Sequence, residues 1–198
     1  MVIFTAIGEG PALAYSLLGE FDPRIIAVTF PPDFSVKRGN RVFKPEIAPR
    51  LRAFFAGVNI TVLTGRLPFD EIEGAVVHNE QVKLIREVLG LWGGSFSLIV
   101  QAVLQACDRG EVEQGEMVIG MAGDSAALIT ASSTTKFLSK EGGFAINEVL
   151  CKPRRLTVSR PHPPQTTLQI GRLFSEQPAQ DGVGNQGREL APKREGDT

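Results

Sequence analysis

The chain has 198 residues, of which 42% are hydrophobic and 22% charged, so it holds enough apolar material for one domain with a sizeable core. Its formal net charge of −1 excludes a strong overall field that would draw the protein onto nucleic acid or an anionic membrane. No apolar run reaches about 18 residues and no basic leader precedes the first one, which argues against a transmembrane span and a signal peptide.

Four short β-branched runs predict strands: VIFTAI, RIIAVTF, VNITVLT and MVIGMAG. Between the first three lie PALAYSLLG and KPEIAPRLRAFFAG, whose apolar residues recur at helical spacing. Pro11 suits a first helical turn and Gly19 suits the end of that helix. Strands that alternate with helices predict a mainly parallel sheet that is buried on both faces.

In the second half of the chain the regular alternation of strands and helices ends. Residues 79–107 predict a long helical region, which Gly93 and Gly94 break into two pieces. DSAALITAS follows MVIGMAG after a tight turn, which is too short for a crossover helix and predicts an antiparallel partner strand. AINEVLCKP predicts a final strand. The pattern therefore predicts an α/β fold whose late strands are antiparallel.

From about residue 159 the composition shifts to proline, glycine and glutamine, with few apolar residues. Such a segment cannot bury enough surface to offset the entropy lost on ordering. We therefore expect one domain over residues 1–158 and a disordered tail over residues 159–198.

The two cysteines, Cys107 and Cys151, lie far apart and have no CxxC or Cys/His spacing. That pattern argues against a zinc site and against a disulfide framework. His78 and His162 form no catalytic set, and neither a Walker A motif nor paired carboxylates appear at an informative spacing. We expect a cytoplasmic protein that has neither a metal site nor catalytic residues.

The first strand runs into Gly8-Glu9-Gly10, an order typical of a loop that holds an anion at a helix N-terminus. It fails as a dinucleotide fingerprint because Leu13 occupies the third glycine position. The carboxylate of Glu9 would also repel a phosphate. A structural turn and a ligand loop both stay open. Asp124 and Ser125 likewise suit either a turn or a ligand site at a strand's carboxyl end.

The stretch VIFTAIGEGPALAYSLLGEFDPRIIAVTF resembles the start of the C-terminal α/β domain of pyruvate kinase. There a strand, a Thr-x-Ser-Gly loop, a helix and an IIAVT strand recur. The chain is more similar to stand-alone proteins of the pyruvate kinase C-terminal-domain-like family. The ordered segments that carry this similarity span about residues 1–158: Val28-Thr29-Phe30, Phe34, Gly39, Pro45-Glu46, Ala106-Cys107-Asp108-Arg109-Gly110 and Cys151-Lys152-Pro153-Arg154.

This resemblance implies a three-layer α/β/α fold with a pocket for a phosphorylated small molecule at the carboxyl ends of the strands. A mononucleotide such as flavin mononucleotide would also fit. The ligand-binding residues expected on this basis are Thr5, Gly8, Glu9, Gly10, Thr29, Phe34, Thr64, Gly123, Asp124 and Ser125.

The chain also departs from the family pattern. Ala6 and Gly10 stand where hydroxyl residues are expected, Pro31 replaces a histidine, and Gln101 replaces a glutamate. These changes remove polar groups from the expected pocket. We therefore predict a non-catalytic binding or regulatory module. The alternatives are an enzyme acting on a phosphorylated small molecule and a protein-interaction domain with a degenerate ligand site.

Relatives of this kind place a strand and a helix ahead of the segment that begins here at Val2. The helices predicted from the sequence leave one face of the sheet thinly covered, and an exposed apolar face is a usual mark of an interface. We therefore expect either a homodimer that covers this face or a start codon upstream of Met1.

Overall fold

The computed structural model describes residues 1–38, 40–69 and 80–153. Within these ranges the chain forms an α/β fold, which confirms the fold class expected from the alternation of strands and helices. The predicted domain boundary at residue 158 and the predicted tail lie outside the described residues, as do His78 and His162.

The strands are β1 (Val2–Phe4), β2 (Ile26–Thr29), β3 (Val36–Arg38), β4 (Arg41–Phe43), β5 (Thr61–Thr64), β6 (Met117–Ala122), β7 (Ser125–Thr130) and β8 (Ala145–Cys151). The helices are α1 (Glu9–Leu18), α2 (Pro49–Gly57), α3 (Glu80–Gly90) and α4 (Phe96–Asp108). Short 3-10 turns occupy Gly19–Phe21 and Thr134–Lys136.

Six strands form one sheet in the order β5-β2-β1-β6-β7-β8. The pairs β1–β2, β1–β6 and β2–β5 are parallel. Strand β7 runs antiparallel to both of its neighbours, β6 and β8. The antiparallel partner strand predicted after MVIGMAG is therefore confirmed, because the short turn after β6 leaves no length for a crossover helix.

Helices cover both faces of the parallel half of the sheet, which gives three layers. One core lies between the sheet and helices α3 and α4, and its members include Val2, Val28, Phe96, Ile99 and Leu104. The other lies between the sheet and helices α1 and α2, and its members include Ile3, Ala27, Ile47, Leu51 and Phe55. Neighbouring residues of one strand enter different cores because strand side chains alternate between faces.

Helix α4 packs closely against the sheet at Gly120 of β6. A Cβ atom at this position would lie 2.6 Å from Cγ2 of Ile99 and 2.9 Å from Cδ1 of Ile129. A side chain at residue 120 would therefore push α4 away from the sheet. This contact sets the height at which the first turns of α4 pass over the sheet.

Two local features differ from the sequence-based expectation. Strands β3 and β4 form a separate hairpin that the sequence did not predict. Helix α2 begins at Pro49 rather than at the start of the predicted helical segment KPEIAPRLRAFFAG, since Ala48 has an extended backbone with ψ of 144°. A residue that precedes proline is disfavoured in the helical region, which explains the later start.

The core on the α1 and α2 side reaches Met121 of β6 and includes no described residue of β7 or β8. The thin cover expected on one face is therefore seen over the antiparallel half of the sheet. The homodimer stays a prediction. Of the helices in the described ranges, none has the length and apolar character needed to cross a membrane.

Candidate functional site

The carboxyl ends of the parallel strands bring three threonines together. The register of β1 and β2 pairs Phe4 with Val28, so Thr5 and Thr29 come next on neighbouring strands. The register of β2 and β5 pairs Thr29 with Thr64. We call Thr5, Thr29 and Thr64 the threonine row. It lies at the edge where α/β folds bind ligands, and all three residues were predicted as ligand-binding.

The threonine row lies on the α1 and α2 side of the sheet, because Ile3 and Ala27, two residues earlier in β1 and β2, belong to that core. Thr5 and Thr29 are buried. Within the described part of the chain, Oγ1 of Thr29 has no hydrogen-bond partner. A buried hydroxyl without a partner is rare in proteins and requires an explanation.

The turn after β1 is closed by its own side chains. Oγ1 of Thr5 accepts a hydrogen bond from the Gly8 backbone N–H at 2.9 Å. Gly8 has a φ of +92°, and a Cβ atom there would lie 2.4 Å from Cδ2 of Leu51. The turn therefore needs glycine both for its backbone conformation and for its contact with α2. The amide of Gly8, expected to contact a ligand, is already satisfied.

The other residues of the predicted anion loop belong to helix α1. Glu9 lies in the first turn of this helix, where its carboxylate interacts favourably with the positive end of the helix dipole. Gly10 is exposed, and a Cβ atom there would lie 3.2 Å from Cγ2 of Ile3. The geometry of this loop is thus that of a helix start whose preceding turn is closed by Thr5.

The turn between β6 and β7 lies beside β1. Ile3 pairs with Met121, so Gly123 and Thr5 follow at the same edge of the sheet. Oγ of Ser125 donates a hydrogen bond to Oδ1 of Asp124 at 2.8 Å. The buried Ser125 side chain also lies against the loop between α3 and α4. These two predicted site residues therefore bond to each other.

A pocket of about 470 Å³ opens on the opposite side of the sheet, between the end of β2 and helices α3 and α4. Phe30 and Phe34 form its aromatic wall, and their rings stack with centroids 4.0 Å apart at 4°. Phe4 contacts Phe30 edge to face at 5.0 Å, which anchors the wall to the core. We call this the phenylalanine pocket, after Phe30 and Phe34.

The polar lining of the phenylalanine pocket comes from the two helices. Gln101 and Ser97 of α4 and Arg86 and Glu87 of α3 line it. Oε1 of Gln101 accepts a hydrogen bond from the Phe69 backbone N–H at 3.0 Å. Nε2 of Gln101 donates to both the carbonyl oxygen and Oγ of Ser97 at 3.3 Å. Gln101 thus ties α4 to the segment after β5.

An ion pair bridges the two segments that leave β2 and β5 near the pocket. Nη2 of Arg66 lies 3.4 Å from Oδ2 of Asp33, and both side chains are well exposed. An exposed pair of this kind contributes between about 0 and 1 kcal/mol. The ion pair therefore adds little to the stability of the contact between these two segments.

The structure divides the predicted site residues between two faces. Of these residues, Phe34 lines the phenylalanine pocket, whereas the threonine row lies across the sheet. The sequence reasoning did not assign Arg86, Glu87 or Ser97 to a site. A signal was present for α4, because Ser97, Gln101 and Gln105 put three polar residues at i, i+4 spacing in a mostly apolar helix.

Over the described ranges, no group of three or more His, Cys, Asp or Glu residues is arranged to hold a metal ion. No protein-family model matches the chain, and no curated protein matches it. The resemblance to the pyruvate kinase C-terminal domain therefore stays a prediction that depends on the order of its motifs.

Proposed function

We propose that the chain is a non-catalytic binding module for a small phosphorylated molecule with a planar ring, of the mononucleotide class, held in the phenylalanine pocket. The observation that carries this proposal is the stacked pair of Phe30 and Phe34 in a cavity of about 470 Å³ beside the carboxyl end of β2. Ligand pockets of about 300–1,000 Å³, mostly apolar with a few polar groups, are typical of small-molecule sites.

The aromatic wall supports a planar ring as the bound group. Phe34 continues the series Phe4, Phe30, Phe34, so a ligand ring stacked on it would extend an array that begins in the core. Stacking a base on an aromatic side chain is worth about 1–3 kcal/mol. Ser97 and Glu87 supply hydrogen-bonding groups for the polar edge of such a ring.

Two features support a phosphate on the same ligand. Arg86 lines the pocket, and the planar donor group of a guanidinium suits phosphate oxygens. Gly94 and Ser97, at the start of α4, line it as well. A helix N-terminus favours an anion through the positive end of its dipole.

The proposed ligand site differs from the one that the resemblance to the pyruvate kinase C-terminal-domain-like family implies. It lies in the phenylalanine pocket and not at the loop after β1. In this chain Thr5 satisfies the Gly8 amide and Leu51 packs against the turn, so the loop after β1 acts as a structural support. The phosphorylated ligand would then bind across the sheet, with flavin mononucleotide as the leading candidate.

The test is a thermal-shift panel of flavin mononucleotide, riboflavin, adenosine monophosphate, adenosine and a sugar bisphosphate, followed by calorimetry. A compound that binds the native state raises the melting temperature, and at about 100 times its Kd it adds about 2.7 kcal/mol to the free energy of unfolding. We expect flavin mononucleotide to stabilise the protein more than riboflavin, because Arg86 contacts the phosphate.

Matched variants locate the site. Phe34→Ala should abolish the shift, whereas Phe21→Ala, which alters a phenylalanine that is 72% exposed on the α1 side, should retain it. Arg86→Gln should weaken flavin mononucleotide and leave riboflavin unchanged. The proposal fails if no compound shifts the melting temperature or if Phe34→Ala binds normally. Conversion of the bound compound on incubation would contradict the non-catalytic role.

A further inference from the structure

The hairpin formed by β3 and β4 concentrates positive charge. Between residues 34 and 45 the sequence contains Lys37, Arg38, Arg41 and Lys44 and no acidic residue. The formal net charge of the whole chain is −1, so this concentration is local and invisible in the overall charge. We call β3, β4 and Lys44 the basic hairpin.

The basic hairpin is a sheet of its own. Its two strands pair with each other and not with the six-stranded sheet. Its register pairs Arg38 with Arg41. An isolated two-stranded hairpin is marginally stable in water, so a bound partner would stabilise it.

The basic hairpin also exposes apolar side chains. Phe43 is 50% exposed and Val42 is 58% exposed. Their register partners are Val36 and Lys37 respectively, so Phe43 and Val42 lie on opposite faces of the ribbon. Each face therefore carries one of these two apolar side chains, and neither side chain alone forms the broad apolar surface that an interfacial membrane element requires.

We propose that the basic hairpin binds single-stranded nucleic acid, with the cations contacting phosphates and Phe43 stacking on a base. An exposed aromatic side chain among cations is the combination that sequence-tolerant single-strand binding uses, because every base has a π face and every nucleotide a phosphate. An acidic protein segment would satisfy the charge but would leave Phe43 without a comparable partner. This surface is separate from the phenylalanine pocket and independent of its ligand.

The test is fluorescence anisotropy of a labelled single-stranded oligonucleotide titrated with the full chain at several salt concentrations. Four phosphate contacts predict a slope of about −2.8 in log K against log salt, so raising NaCl from about 50 to about 200 mM weakens binding about 50-fold. Lys37→Glu with Lys44→Glu should reduce the slope to about −1.4 or less in magnitude. Phe43→Ala should weaken binding about 5-fold or more.

A control pair of substitutions distinguishes binding at the basic hairpin from a general effect of the protein's net charge. Lys136→Glu with Lys140→Glu makes the same charge change at two exposed lysines elsewhere and should leave the affinity unchanged within about 2-fold. Urea unfolding of each variant confirms that it is folded. The proposal is overturned if the control pair weakens binding as much as the hairpin pair, or if no anisotropy change occurs. Tighter binding to duplex DNA, to polyglutamate or to phosphatidylserine vesicles would also overturn it.

Discussion

At the carboxyl edge of the parallel strands, one side of the sheet is closed by packing and the other side has an open pocket. On the α1 and α2 side, Thr5 closes the turn onto Gly8 and Leu51 packs against it. On the α3 and α4 side, Phe30 and Phe34 border an open pocket. A glycine and hydroxyl pattern at a strand end can therefore serve the backbone alone, while the ligand-sized space lies across the sheet.

The division arises between adjacent residues of the chain. Thr29 ends β2 on the closed side, and Phe30 packs with the core on the open side. Because side chains alternate along an extended chain, the adjacent residues Thr29 and Phe30 face opposite sides of the sheet. Thr29 contributes a buried hydroxyl without a partner in the described ranges, and Phe30 contributes to the aromatic wall. The comparison yields four measurable differences.

The largest effect is expected at Gly8. Gly8→Ala should lower the free energy of unfolding by about 3 kcal/mol, because a left-handed backbone is unfavourable for alanine and the new Cβ displaces Leu51. Gly57→Ala, where an added Cβ meets nothing within 4 Å, should change it by less than about 1 kcal/mol. Equal urea midpoints for Gly8→Ala and the parent would disprove the closed turn.

Gln101 tests the open side. Gln101→Met leaves the Phe69 N–H buried without its acceptor and should lower the free energy of unfolding by about 2 kcal/mol. Gln105→Met is the matched control, because Oε1 of the buried Gln105 has no partner in the described ranges. The control should be neutral or stabilising in urea unfolding. If both variants lose the same stability, the Gln101 hydrogen bond is not the cause.

Within the threonine row, the same substitution should act with opposite signs. Thr5→Val removes the acceptor of the Gly8 N–H and should lower the free energy of unfolding by about 1 kcal/mol. Thr29→Val removes an unpartnered hydroxyl and should raise it by up to about 1 kcal/mol. Calorimetry on both variants decides the matter. Destabilisation by Thr29→Val would mean that its hydroxyl has a partner in solution.

The smallest effect concerns Cys107, in the last turn of α4, about 15 Å along the helix from Ser97. Burial raises the pKa of the Cys107 thiol above its ordinary value, and the carboxylates of Asp108 and Glu116 raise it further. The thiolate is the reactive form, so iodoacetamide should modify Cys107 more slowly than the exposed Cys151, and faster as pH rises. Peptide mass spectrometry measures both rates.

Cys107 also reports on the extent of the open side. Because it lies at the far end of α4, a ligand in the phenylalanine pocket should leave its alkylation rate unchanged. Protection of Cys107 on ligand binding would show that the open side extends along the whole helix.

The sequence by itself determined most of the elements and their order along the chain. Short β-branched runs predicted four of the six strands of the main sheet, and the segments DSAALITAS and AINEVLCKP were predicted as the other two. Gly93 and Gly94 correctly marked the break between α3 and α4. The threonine row could also be predicted, because parallel strands end at one edge and each threonine ends or follows a strand. These features depend on residues that are close together in the chain. The hairpin of β3 and β4 was missed because its three-residue strands are too short to show a period.

Tertiary structure alone decided which side of the edge is open. Phe30, Phe34, Arg86 and Gln101 come together across about seventy residues of sequence, and no local pattern joins them. Their positions depend on the close packing of α4 against Gly120 of the sheet. The other side is closed because Leu51 of α2 packs against Gly8. Alternation puts neighbouring residues on opposite faces, but the packing of distant helices decides which face is filled and which holds a cavity.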